Sequence, residues 1–137
     1  MNESKLDVKK RAVIEIAENL FLSQGLATTE MKEIARCASI SRSTLYRMFD
    51  SRETLAFAVA DKCLHELFDP KPMEIYGTDR SGFEILRSYS SNLIETMIQG
   101  VRYVKYLSEF DQMFSGDYPD TPEARKYVQF NRQRQDR

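Results

Sequence analysis

Residues 29–55 read TEMKEIARCASISRSTLYRMFDSRETL, and their succession decides the fold. A short amphipathic segment carrying Met31, Ile34, Ala35 and Ala38 gives way at Ser39-Ile40-Ser41 to a second segment rich in hydroxyls and arginine, and another helix start follows at once. Apolar residues three and four apart mark both segments as helical. So brief a connection leaves little room for a catalytic loop. It suits a helix-turn-helix, in which the second helix is presented to the major groove of DNA.

The capping residues set the expected boundaries. Thr28 and Thr29 offer N-caps to the first of these helices. Ser41 can cap the next, from Arg42 to Phe49, and Asp50 or Ser51 can cap a fourth helix with Glu53 in its first turn. Upstream, Val13, Ala17, Leu20 and Phe21 form a helical stripe between about Val8 and Ser23, and Gly25 stands where a C-terminal left-handed residue is wanted. Downstream, Leu55, Val59, Cys63 and Leu67 face a core until Pro70 and Pro72 stop the helix. Phe83, Leu86, Leu93, Met97, Val101, Val104 and Leu107 then keep helical spacing, with a break expected at Gly100. After the polar stretch SGDYPDTP, a last amphipathic segment begins at Glu123. No strand alternation or repeat interrupts the pattern, so the expected fold class is all-α.

Composition narrows the functional classes. With 137 residues and 42% hydrophobic content, the chain can bury a core and is too apolar to be disordered. No apolar run approaches the ~18 residues of a membrane span, and MNESKLDVKKR lacks a signal core, so a cytoplasmic chain without a membrane partner is expected. A single histidine, His65, and two cysteines without metal spacing, Cys37 and Cys63, give no metal site and no cofactor. Both thiols are expected to be buried. Nothing resembles a nucleophile elbow or a phosphate-binding glycine loop, so an enzyme is not expected.

The net charge of −1 seems ill suited to nucleic acid, but its distribution is not. Arg36, Arg42 and Arg47 fall between Ile34 and Phe49, a stretch with no acid at all. A local field of this kind can attract phosphate whatever the overall charge. At 100° per residue, Leu45, Met48 and Phe49 share one side of the third helix, Ser43 and Arg47 lie opposite, and Thr44 and Tyr46 flank them. Arg42 projects at the N-terminal end, where an arginine can pair with guanine in a bidentate manner. Ser43, Thr44 and Tyr46 suit phosphate oxygens or a thymine methyl, and Arg52 stands at a helix start that favours an anion.

IARCASISRSTLYRMFDSRETL, with Ala17, Leu20, Phe21 and Gly25 upstream, resembles the N-terminal DNA-binding domain of the tetracycline-repressor (TetR/AcrR) family of bacterial regulators. The family pattern, approximately Ile-Ala-x-x-Ala-Gly-Val-Ser-x-Gly-Thr-Leu-Tyr-x-His-Phe-x-x-Lys-Glu-x-Leu, aligns from Ile34 without a gap, and the resemblance covers about residues 8–68. It implies a DNA-facing set of Arg42, Ser43, Thr44 and Tyr46, with Thr29 and Lys32 near the DNA backbone and Arg52 in place of a phosphate-contacting lysine; Ser41 and Arg47, on the same helix start and exposed side, complete the expected DNA-binding residues. Ser39 and Ser43 stand where the family has glycine, Met48 where it has histidine, and Glu30 where it often has Thr or Ser.

The resemblance further implies a helix-turn-helix domain over 1–50, a connecting fourth helix over 51–70, and part of a helical effector and dimerisation domain over 71–137. Such regulators bind a palindromic double-stranded operator as homodimers and release it when a small apolar or amphipathic effector binds. Phe83, Tyr89, Met97, Tyr103 and Phe110 are the aromatic and thioether candidates for that effector. The resemblance implies that the helices pairing two family members are not among these 137 residues, which leaves a fragment, a naturally shortened form or another dimer surface as the expectations. A second reading is therefore a shortened helical interaction protein that binds a partner regulator without holding an operator alone.

Overall fold

The computed structural model describes residues 4–68, 81–114 and 117–136. Among them six helices and no strand occur: α1 (Lys5–Gln24), α2 (Met31–Cys37), α3 (Arg42–Met48), α4 (Arg52–Phe68), α5 (Gly82–Phe114) and α6 (Pro122–Gln135). None is long and apolar enough to cross a membrane.

Local chemistry explains most of the boundaries. The Ser4 hydroxyl oxygen accepts the Asp7 N–H at 3.2 Å and so starts α1. Gly25 ends that helix at φ +94°, a conformation that side chains with a Cβ rarely adopt. Thr121 caps α6 by accepting the Ala124 N–H at 3.2 Å, and Pro122 occupies the first turn, where its missing N–H costs nothing. The expected break at Gly100 is absent. There α5 runs on unbroken, since a helix-interior glycine costs only ~1 kcal/mol and packing can outweigh it. The prolines expected to stop α4, Pro70 and Pro72, lie outside the described residues.

Helix α4 is the centre of the molecule. Leu55, Ala56, Phe57, Val59, Ala60, Cys63 and Leu64 are all buried, because α1, α5 and α6 cover it from different sides. Phe57 touches the rings of Phe110, Phe114, Tyr118 and Tyr127, with centroids 4.6–5.9 Å away. Edge-to-face contacts of this kind add to the area they bury. The Tyr106 hydroxyl of α5 donates to the Ala56 carbonyl at 2.8 Å, which satisfies the one polar group that the ring carries inward. A single apolar cluster thus runs from Val13 to Tyr127, across the boundary expected at residue 50.

One expectation fails here for a definable reason, and a second set of residues is scattered. Cys37 is exposed, because it ends α2 on the side away from Met31, Ile34 and Ala35; only Cys63 is buried. The five effector candidates do not converge. Phe83, Tyr89 and Met97 are exposed, whereas Tyr103 and Phe110 are packed in the core. On one straight helix Phe83 and Phe110 stand roughly 40 Å apart, too far to line one small-molecule site. A groove of about 470 Å³ does open beside the start of α4, between Ser51, Glu53 and Thr54 on one side and Phe114, Asp117 and Tyr118 on the other, but none of the five lines it.

Candidate nucleic-acid interface

The turn between α2 and α3 is built by its backbone. Ser39 adopts φ +55°, the left-handed conformation. The Ile40 N–H reaches back to the Ala35 carbonyl at 3.1 Å, and the Ser39 N–H reaches the Arg36 carbonyl at 3.2 Å. This pair of bonds is a Schellman ending, normally closed by glycine. Serine holds the same place at a conformational cost of ~1–2 kcal/mol. The half-buried Ile40 then packs against the core and fixes the angle at which the chain leaves the turn.

Ser41 starts α3. Its hydroxyl oxygen accepts the Thr44 N–H at 3.1 Å and lies 2.7 Å from the Thr44 hydroxyl and 3.1 Å from that of Ser43. Leu45 and Phe49 are buried against the core and Met48 is half-buried, which leaves the other side of α3 in water. Arg42, Ser43 and Arg47 are exposed there, Tyr46 is 40% exposed, and Thr44 lies half-buried at the edge. No ion pair engages Arg42 or Arg47 among the described residues.

The remaining candidates are placed differently. Lys32 is exposed but paired with Glu30 at 3.1 Å, so the acid that departs from the family pattern cancels its neighbour. Thr29 is fully buried and donates its hydroxyl to the Gly25 carbonyl at 2.8 Å. It neither caps α2 nor reaches the surface; Glu30 takes the N-cap position without a side-chain bond. The Arg52 guanidinium turns inward, 3.4 Å from the carbonyls of both Ala27 and Thr29 and 3.9 Å from Glu53. It clasps the α1–α2 turn instead of standing open to phosphate. Turn carbonyls that take no part in a helix compete well for a guanidinium.

One basic group went unplaced in the sequence. The Lys10 ammonium lies 6.0 Å from the centre of the Phe49 ring, which brings a charge of α1 beside the end of α3. The run KLDVKKR carried the only sign of it.

Residues 13–59 match the family model for bacterial regulatory proteins of the tetR family. An uncharacterized HTH-type transcriptional regulator of Mycobacterium tuberculosis (strain H37Rv) is 50% identical over 46 residues, 34% of this chain and 23% of that protein. The HTH-type transcriptional repressor KstR2 of Rhodococcus jostii is 33% identical over 60 residues, 44% of this chain and 29% of that protein. The solved structure of NalD, the secondary repressor of the MexAB-OprM multidrug efflux pump in Pseudomonas aeruginosa, aligns over 93% of this chain and 60% of its own, with 22% identity and a TM-score of 0.45. The chain spans about a quarter of the length of the curated relatives it matches. Over residues 13–59 the chain is thus similar to the bacterial regulatory proteins of the tetR family.

Proposed function

We propose that this chain is a DNA-binding transcriptional regulator that acts as a repressor on a palindromic operator, with α3 as the helix that enters the major groove. The observation that carries this reading is the exposed side of α3, where Arg42, Ser43, Tyr46 and Arg47 stand in water with no carboxylate pairing either arginine among the described residues. Guanidinium and hydroxyl groups on a helix whose other side is locked in a core are the means by which proteins read base edges and hold phosphates. Arg42, at the N-terminal tip, is assigned to a base, and Tyr46 and Arg47 to the backbone. Release by a small apolar or amphipathic effector belongs to the proposal on the family resemblance alone.

Fluorescence anisotropy against duplexes from the chain's own upstream DNA tests the reading. The expected result is binding whose log K falls linearly with log salt, by about 0.9 for each phosphate neutralised. Arg42→Ala is expected to relax base preference as well as weaken binding. No binding at low salt would reject the regulator and leave the interaction protein.

A further inference from the structure

The groove beside the start of α4 is lined by two aromatic rings and two carboxylates. The Phe114 and Tyr118 ring centroids stand 6.1 Å apart, and both rings pack on Phe57, with centroids 4.6 and 5.7 Å away. They are therefore held in place before anything binds. The Tyr118 hydroxyl donates to Asp111 Oδ1 at 3.1 Å, which engages its polar end. The lining hydroxyls are engaged as well. Ser51 and Thr121 accept the Thr54 and Ala124 N–H groups as helix caps, and the Thr54 hydroxyl lies 3.2 Å from that of Ser51.

What remains uncommitted is negative. Asp117 is exposed and makes no ion pair among the described residues. Glu53 has Arg52 only at 3.9 Å, and that guanidinium is turned to the carbonyls of Ala27 and Thr29. No lysine, arginine or histidine lines the groove among the described residues. The N-terminal ends of α4 and α6 open beside it, each equivalent to roughly half a positive charge. Two carboxylates therefore leave the lining negative by about one charge.

We propose that this groove binds a small organic cation: a quaternary ammonium, a phosphonium or a protonated amine with an aromatic or apolar body. Its volume of about 470 Å³ falls within the ~300–1,000 Å³ of small-molecule sites. The rings and the acids select the same charge. Phe114 and Tyr118 attract a cation through their ring faces, and Glu53 and Asp117 attract it through full charges. A metal ion is a poorer occupant, since hard cations want more oxygen ligands than two carboxylates beside aromatic rings supply. No group of three or more His, Cys, Asp or Glu suited to one occurs among the described residues. The bound cation would bridge the start of α4 to the α5–α6 connection. That such bridging changes DNA affinity rests on the regulator reading; binding itself does not.

Calorimetric titration of the full chain with tetraphenylphosphonium, without DNA, tests the proposal. Tetraphenylborate, titrated separately, supplies the same shape with the opposite charge. The phosphonium should bind one per chain with a Kd of about 10–500 μM, as suits an open groove. Glu53→Gln combined with Asp117→Asn should weaken it about tenfold while circular dichroism stays unchanged. Glu84→Gln combined with Glu95→Gln removes the same charge beside the exposed apolar side of α5 and should leave the affinity as it was. Phosphonium binding that is absent up to ~1 mM overturns the proposal. So does binding that survives the Glu53 and Asp117 changes, or that is lost with Glu84 and Glu95 instead. A borate that binds the wild type better than the Glu53 and Asp117 variant overturns it too. Because no DNA is present, failure of the regulator reading would leave this result standing.

Discussion

The Lys62 ammonium of α4 is paired with the Glu18 carboxylate of α1, which keeps only 7% of its side-chain surface in water. Burial pulls the Lys62 pKa down, but the hydrogen bond and charge of Glu18 more than reverse this and hold it above the ordinary value. Lys62→Met leaves the carboxylate buried without its partner and is expected to cost ~3 kcal/mol. The folded pKa is the higher one, so the contribution is complete below the unfolded value of ~10.4 and is lost as pH rises through the folded value. Urea midpoints of wild type and Lys62→Met should therefore converge in strong alkali. A gap that persists there would show that the pair does not act through charge.

Ser39 holds a left-handed backbone that glycine adopts without strain. Ser39→Gly should stabilise the fold by about 1 kcal/mol, and Ser39→Val should destabilise it by at least as much. Thermal melting of the two variants decides the matter; a glycine variant that melts lower would mean the serine side chain contributes more than its backbone costs.

The two thiols should differ sharply. Burial pushes the Cys63 pKa up to about 12, with the nearby Glu18 charge acting in the same direction, whereas Cys37 is exposed. Thiolate is the reactive form, so a disulfide reagent near pH 8 should titrate one thiol quickly in the native chain and the second only on unfolding. Fast reaction of both would place α4 in a looser core than the one described.

Arg47 and Arg52 separate groove contact from scaffolding. Arg47→Ala should weaken DNA binding and reduce the salt slope by ~1 while melting shifts by under ~0.5 kcal/mol. Arg52→Ala removes the clasp on the Ala27 and Thr29 carbonyls and should cost about 1 kcal/mol of stability, with no comparable loss of slope. Equal slope changes in the two would return Arg52 to a phosphate.

Individual residues show how far the sequence was legible. Ser41 was readable as a cap because its partner is three residues away, and Leu45 and Phe49 as core because helical periodicity alone sorts them. Thr29 was not: a threonine before a helix commonly caps it, and only the return of the chain toward Gly25 takes its hydroxyl inward. The clasp made by Arg52 was illegible for the same reason, since its carbonyl partners lie 23 and 25 positions away. Spacing marked Phe83 and Met97 as apolar in a helix, yet periodicity cannot tell which of two apolar sides the other helices will choose. The exposure of Cys37 likewise follows from the face of α2 on which the core happens to close.

Phe57 sets a mechanical condition on any switching that involves α4. Turning that helix about its own axis would withdraw the ring from Phe110, Phe114, Tyr118 and Tyr127 together, and tightly packed interiors resist such continuous deformation. The low-cost displacement is one in which α4, α5 and α6 travel as a block, with α3 following through α2, on which it packs, and through the short turn that joins it to α4. Whatever acts on the far end of α5 thereby acquires leverage over the exposed side chains of α3 without touching them.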